Sequence, residues 1–296
     1  MTLPEAASFA RRSNAHVFGN GPRTLLCAHG FCSDQSIFRH QIHDLYFQGT
    51  HQIVTYDLAG FGQSDPGIWS AERHASLEGY AQDMLLLIEE LGLHNVTLLG
   101  ASMSAMIGVL ASLQRPDRFE ALVFISASPR YLDDGPYVGG FQQPGIDAFY
   151  GLVNSQQDWA GALSGLMFNQ PVSLALQEVA EAIRGVDPDV ASVVARAIFQ
   201  SDYRALLPRV RHPVLITQTP ADSVVPVSVG RYLEANLPNA QLSLMPGVGH
   251  IPNFTAPGAF NHALVTFLSE VAASADTGAE SRAGTESRLG ARGRRA

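Results

Sequence analysis

The chain of 296 residues contains no lysine, so all 19 of its basic residues are arginine. This absence excludes mechanisms that need a lysine amine, among them the Schiff base, the pyridoxal-phosphate anchor, the P-loop lysine and the Ser-Lys dyad. Acidic residues number 27, and the net charge is −8. Nucleic-acid binding relies on clustered positive charge, and the densest basic cluster here lies in the last residues. We therefore expect no nucleic-acid partner.

Cysteine is scarce as well. The two cysteines, Cys27 and Cys32, are too few for a disulfide framework and lack C-x-x-C spacing. We interpret Cys27 as a small buried side chain and Cys32 as a loop thiol. His40 and His43, followed by Asp44, form an HxxH pattern that is weak evidence of a metal site when it stands alone. We expect no metal and no cofactor.

Long apolar runs are missing too. No run reaches the roughly 20 residues that a membrane-spanning helix needs. The segment MTLPEAASFARR has proline and an acidic residue where a signal peptide has a basic and then an apolar stretch. Charged residues make up 16% and hydrophobic residues 46% of the chain, which is typical of a globular domain with a sizeable core. We expect a cytoplasmic monomer with no membrane partner.

The order of elements predicts an α/β fold. Short β-branched runs predict buried strands over 24–28, 52–56, 96–99, 121–126, 213–217 and 241–245. Helical segments lie between them, such as 77–91, whose apolar residues recur every three or four positions. Strands that alternate with helices predict a mostly parallel sheet covered by helices on both faces.

The alternation stops over residues 131–206, where aromatic residues and helix formers predict a helical insertion above the sheet. We therefore assign residues 1–130 and 207–271 to a core and 131–206 to a cap. From residue 272 to 296 the chain is poor in hydrophobic residues and rich in Gly, Ala, Ser and Arg. Such a segment buries too little surface to offset its ordering entropy, so we expect a disordered tail.

A candidate nucleophile lies in the segment LLGASMSAMIG. Ser102 follows the strand-like NVTLLG and precedes the helix-like MSAMIGVLASL, which is the strand–turn–helix context of a nucleophile elbow. The usual motif G-x-S-x-G has glycine where this chain has Ser104, yet Gly100, Ala101 and Ser104 are all small enough for a crowded turn. The similar segment GQSDP around Ser64 is interpreted as a simple turn.

A serine needs a base to take its proton and a carboxylate to hold that base. In α/β-hydrolases these residues follow in the order Ser, acid, His. Asp222 comes after the strand-like PVLITQT, and His250 comes after QLSLM. Alone, Asp222 could be a turn residue and His250 a surface histidine, but the order and strand context together predict a triad with Ser102. Asp57 is the competing acid, and we assign it a structural role in a glycine-rich turn.

An oxyanion hole is predicted beside the triad. The segment AHGFCSDQS follows the first predicted strand, and its glycine lets the backbone turn an amide toward the serine. We expect the amides of Phe31 and Met103 to form the pair that would stabilise a tetrahedral intermediate.

These motifs resemble one group of proteins. The segments HGFCSDQS, YDLAGFGQSD, GASMSA, ISASPRYLDD, IFQSDYRALLP and GHIPNFTAP are similar to the plant karrikin and strigolactone receptors and the bacterial RsbQ-type regulators, over about residues 14–270. The resemblance implies an α/β-hydrolase fold with four cap helices arranged as a V over a deep apolar pocket. It also implies that this pocket is lined by Phe31, Tyr131, Phe141, Leu163 and Phe199.

The resemblance also shows where this chain differs. Leu163 stands where the plant receptors tend to have an aromatic residue, which implies a pocket of different shape. Ala101 stands where the group usually has histidine. Ser104 stands where it usually has glycine.

We expect a serine hydrolase that cleaves a small hydrophobic ester or lactone through an acyl-enzyme. The alternative is a ligand-sensing signalling protein that hydrolyses slowly and recruits a protein partner. A third hypothesis is another chemistry on the same fold, such as carbon–carbon bond hydrolysis or peracid formation.

Overall fold

The computed structural model describes residues 8–46, 48–155, 158–171 and 173–292. Within these ranges seven strands form one sheet in the order β1-β3-β2-β4-β5-β6-β7. The strands are β1 His16–Phe18, β2 Arg23–Ala28, β3 His51–Tyr56, β4 Val96–Ala101, β5 Phe119–Ile125, β6 Val214–Gln218 and β7 Ala240–Leu244. Strand β1 runs antiparallel to β3, and every other pairing is parallel.

All six predicted strands are present, in the predicted mostly parallel sheet. Every residue of β4 and β6 is buried, which is typical of parallel strands covered on both faces. Strand β1 was not predicted, because three residues of mixed exposure carry no periodic signal. The parallel arrangement brings the carboxyl ends of β2, β4, β6 and β7 to one edge of the sheet.

Eleven α-helices belong to the part of the chain that the structure describes. They are α1 Phe9–Arg12, α2 Arg39–Tyr46, α3 Leu77–Glu90, α4 Met103–Gln114, α5 Gln143–Val153, α6 Trp159–Phe168, α7 Leu174–Arg184, α8 Pro188–Phe199, α9 Val227–Asn236, α10 Pro252–Thr255 and α11 Pro257–Arg292. Short 3₁₀ helices occur at Gln35–Phe38, Pro66–Ile68 and Arg204–Arg209. Helix α3 matches the predicted segment 77–91 to within one residue.

Helices α5 to α8 lie between β5 and β6 in the chain, where the sequence predicted a helical cap. Helix α5 contacts α8, and α6 contacts α7. The two chain segments that join this region to the sheet are bonded to each other, because the amide of Tyr203 donates to the carbonyl of Pro129 at 2.9 Å. The V shape and the division into core and cap remain predictions.

The last helix, α11, runs from Pro257 to Arg292 and includes most of the segment for which the composition predicted disorder. That segment is rich in Ala, Glu and Arg, which are strong helix formers. The disordered tail over residues 272–296 remains a prediction. Residues 293–296 lie outside the described residues.

Candidate active site

Ser102 occupies a strained turn between β4 and α4. Its φ is +54° and its ψ is −116°, a region that side chains rarely adopt. Its amide donates to the carbonyl of Ile125 at 2.8 Å, which ties the turn to the neighbouring strand. Gly100 is required here, because a Cβ at that position would lie 2.7 Å from the carbonyl oxygen of Ser104. The segment therefore folds as the elbow that its sequence predicted.

The structure brings Ser102, His250 and Asp222 together at the carboxyl edge of the sheet. Ser102 Oγ lies 2.9 Å from His250 Nε2, and His250 Nδ1 lies 2.8 Å from Asp222 Oδ2. Asp222 follows β6, and His250 follows β7. When Nδ1–H donates to the carboxylate, Nε2 is left to accept the serine proton. This arrangement can activate a hydroxyl as a nucleophile.

Asp222 is held as a carboxylate. Its side chain is fully buried, and Oδ1 accepts hydrogen bonds from the amides of Val224 at 2.8 Å and Val225 at 3.1 Å. Burial, the largest single influence, raises the pKa of Asp222, but the imidazole of His250 and these two amides more than offset it and lower the pKa below its usual value. The fixed charge can therefore orient the imidazole and stabilise its protonated form.

The loop that carries His250 is bonded to the segment that follows β6 and to helix α6. The hydroxyl of Thr219 donates to the carbonyl of Gly249 at 2.6 Å, and the amide of His250 donates to the carbonyl of Met167, near the end of α6, at 2.7 Å. Gly249 has a φ of +90°, and a Cβ there would lie 2.6 Å from the carbonyl oxygen of Phe168. The histidine position thus depends on direct contact with α6.

The candidate oxyanion amides lie on both sides of the serine. Met103 begins α4, and the first amides of a helix have no partner within the helix. Phe31 follows Gly30, whose backbone is so close to the serine that a Cβ at Gly30 would lie 3.2 Å from Ser102 Cβ. Amide N–H groups at such a position carry partial positive charge, which would stabilise a developing oxyanion.

Two side chains hold this oxyanion loop in place. The ring of His29 donates from Nδ1 to the carbonyl of Gly30 at 2.8 Å and accepts at Nε2 from the amide of Leu58 at 2.9 Å. Burial lowers the pKa of His29, in keeping with a neutral ring. The hydroxyl of Ser104 donates to the carbonyl of His29 at 2.5 Å. The residue that replaces the motif glycine therefore links α4 to the loop, a contact that sequence reasoning missed.

Asp57, the competing acid, bonds to groups outside the Ser102, His250 and Asp222 set. Asp57 accepts hydrogen bonds from Asn14 Nδ2 at 2.8 Å and from the amides of Gln35 at 3.0 Å and Gln63 at 2.9 Å. These contacts brace three loops, in line with the structural role assigned to Asp57.

A cavity of about 110 Å³ opens above the serine. The predicted pocket residues Phe31, Tyr131, Phe141, Leu163 and Phe199 all line it, together with Ser102 and His250. Sequence reasoning did not identify the other lining residues: Gly30, Ser33, Ile37, Ala101, Gly145, Phe149, Leu166, Met167, Ile198, Val224 and Ile251. These residues come from several separate segments of the chain. Their positions in the sequence therefore do not indicate that they lie close together in the fold.

The ring of Phe199 is the centre of the aromatic wall. Its centroid lies 5.7 Å from Tyr131, 5.2 Å from Phe141 and 5.7 Å from Phe149, with the rings edge to face. The hydroxyl of Tyr131 lies 3.1 Å from Ser102 Oγ. Burial raises the pKa of this phenol, so that it stays protonated at neutral pH. The cavity thus combines an apolar wall with one phenol beside the nucleophile.

Three further features bear on the sequence predictions. Among the described residues, no group of three or more His, Cys, Asp and Glu side chains could hold a metal ion. In that same part of the chain, no helix combines the length and the apolarity that crossing a membrane requires. Cys27 and Cys32 are both buried, and neither forms a disulfide.

Known proteins share this architecture. A family model described as the alpha/beta hydrolase fold matches residues 23–257. The chain is 39% identical over 247 residues to karrikin insensitive 2 receptor CA of Petunia hybrida, covering 82% of this chain and 91% of that protein. It is 33% identical over 260 residues to strigolactone esterase RMS3 of Pisum sativum, and the match covers 87% of this chain and 97% of that protein. A solved structure, that of olei00960, a hydrolase from Oleispira antarctica, has a TM-score of 0.85 at 34% identity and covers 90% of this chain and 98% of its own.

The strain at the elbow leads to a stability prediction. Ser102→Gly and Ser102→Ala both remove the hydroxyl and its bonds to His250 and Tyr131, but only glycine relieves the positive φ. We expect Ser102→Gly to exceed Ser102→Ala in unfolding free energy by about 1–2 kcal/mol. Urea unfolding at pH 7 measures the difference. If the turn stores no strain, Ser102→Ala will instead be the more stable variant, by the roughly 0.5–1 kcal/mol that the chain entropy of glycine costs.

Proposed function

The chain belongs to the α/β-hydrolase family and is a hydrolase, and from this premise we propose that it cleaves a small hydrophobic ester or lactone through a Ser-His-Asp triad. The observation that carries the proposal is the chain of hydrogen bonds from Ser102 Oγ through the ring of His250 to Asp222. The sequence-based recognition of this family is confirmed by the match over residues 23–257.

In the first half of the proposed reaction Ser102 Oγ attacks the substrate carbonyl carbon while His250 Nε2 takes the serine proton. The carbonyl π electrons move to oxygen and form the tetrahedral oxyanion. The amides of Phe31 and Met103 stabilise that charge, and Asp222 stabilises the imidazolium. Collapse of the intermediate breaks the ester carbon–oxygen bond, and His250 gives its proton to the leaving oxygen. For a lactone the leaving hydroxyl stays attached to the acyl group.

In the second half a water molecule attacks the acyl carbon while His250 again takes a proton. Collapse of this second intermediate returns the proton to Ser102 Oγ and releases the acid. The reaction needs only groups that the site already contains, apart from water. The apolar walls of the cavity favour a compact hydrophobic substrate over a peptide or a polysaccharide.

A signalling role is the second candidate, favoured by two observations. One of the similar proteins is named as a receptor. In this chain the amide of His250 donates to the carbonyl of Met167, close to the end of α6. A covalent or bound ligand that moved the imidazole would also move that contact, and a protein partner could then bind the changed surface of the cap. A monomeric state and a cytoplasmic location remain predictions under either role.

Triad variants test the proposed chemistry. We expect Ser102→Ala and His250→Ala to lower kcat for a small ester such as p-nitrophenyl acetate by about 1000-fold or more, and Asp222→Asn by a similar factor. Asp57→Asn is the matched control, because this buried carboxylate bonds to Asn14, Gln35 and Gln63 and not to His250, and its loss should cost less than about 10-fold. If Asp57→Asn were as inactive as Asp222→Asn, or if Ser102→Ala kept its activity, the assignment of the triad would be wrong.

Turnover separates the enzyme from the sensor. As an enzyme, the protein should hydrolyse a molar excess of p-nitrophenyl acetate at a steady rate with no loss of activity. The stopped-flow trace measures this directly. A single stoichiometric burst followed by an acylated protein of altered melting temperature would instead favour the signalling role.

A further inference from the structure

Ser33 is a polar residue of the cavity that the triad chemistry does not use. It lies on the same loop as Phe31, two residues further along the chain. The residue is 2% exposed and lines the cavity above Ser102. Among the described residues, no group forms a hydrogen bond with its buried hydroxyl. A buried hydroxyl without a partner is uncommon, since most buried polar groups are hydrogen-bonded.

The other polar side chains of the cavity are already committed to one another. Ser102 bonds to His250 and to Tyr131, and His250 bonds to Asp222. Within the described part of the chain, Ser33 is therefore the one polar side chain lining the cavity that forms no hydrogen bond. In an otherwise apolar cavity, a few placed polar groups determine the orientation of a ligand.

Its chemistry limits what it would recognise. A serine hydroxyl can donate one hydrogen bond and accept two, so that it can pair with an ether, carbonyl or hydroxyl oxygen. In the proposed reaction the backbone amides of Phe31 and Met103 are assigned to the oxyanion, and we assign Ser33 to another oxygen of the substrate.

We propose that Ser33 Oγ is a specificity-determining group that hydrogen-bonds a second substrate oxygen, separate from the reacting carboxyl group. The substrate class is then a compact lactone or ester with one additional ether, carbonyl or hydroxyl oxygen. The inference rests on the proposed hydrolase function. The cavity of about 110 Å³ is of the order of one that holds a benzene ring, which is about 150 Å³. A ring of about five or six atoms therefore suits it.

Matched pairs of lactones test this assignment. δ-Valerolactone and 1,4-dioxan-2-one differ only in that a ring CH₂ becomes an ether oxygen. γ-Butyrolactone and α-hydroxy-γ-butyrolactone differ by one hydroxyl. We expect Ser33→Ala to lower kcat/KM for the oxygen-bearing member of at least one pair by roughly 5-fold more than for its partner, mainly through KM, as the loss of one neutral hydrogen bond implies. Titration of the released acid measures the rates.

A conservative variant and a stability measurement separate recognition from structure. Ser33→Thr keeps the hydroxyl and should restore the wild-type ratio within the pair. Since the hydroxyl bonds to no described group, Ser33→Ala should not lower the melting temperature. Equal losses for both members of both pairs, or a ratio that Ser33→Thr does not restore, would overturn the assignment of Ser33. Wild-type protein that hydrolyses neither the lactones nor p-nitrophenyl acetate would instead show that the proposed function has failed.

Discussion

The left-handed backbone of Ser102 is the constraint on which the rest of the site depends. At φ +54° the chain reverses between β4 and α4, and the serine hydroxyl lies at the floor of the cavity within reach of His250. The sharp turn brings strand β4 and helix α4 close together. Gly100 and Gly108 allow that approach, because a Cβ at Gly108 would lie 2.1 Å from Leu98 Cδ2.

The parallel sheet places the other site residues beside this turn. Loops after β2, β4, β6 and β7 meet at one edge and carry, in turn, the candidate oxyanion amide of Phe31 and the candidate nucleophile, acid and base. Helix α6 bonds to the loop that carries His250 through the carbonyl of Met167. Ser104 adds a link from α4 to the oxyanion loop. A serine at the second motif glycine therefore fits the elbow and connects two parts of the site.

The strands and the candidate site residues could largely be predicted from the sequence, for physical reasons. Buried parallel strands produce continuous β-branched runs, so β2 to β7 were predicted, and the order Ser102, Asp222, His250 follows from strand order. Strand β1 was too short to leave a pattern. The division into core, cap and disordered tail rests on composition and stays a prediction, although α11 is drawn through residues 272–292. The contact of Ser104 with His29 and the unpaired hydroxyl of Ser33 depend on three-dimensional neighbours that no local pattern records.

Covalent labelling shows whether Ser102 is an activated nucleophile. Folded protein would be treated with a fluorophosphonate, which reacts with activated serines, then digested and mapped by mass spectrometry. We expect one equivalent of label, located on the peptide that contains Ser102, and none when the protein is denatured before treatment. Native protein that stays unlabelled, or a label on another residue while Ser102 remains unmodified, would contradict this expectation.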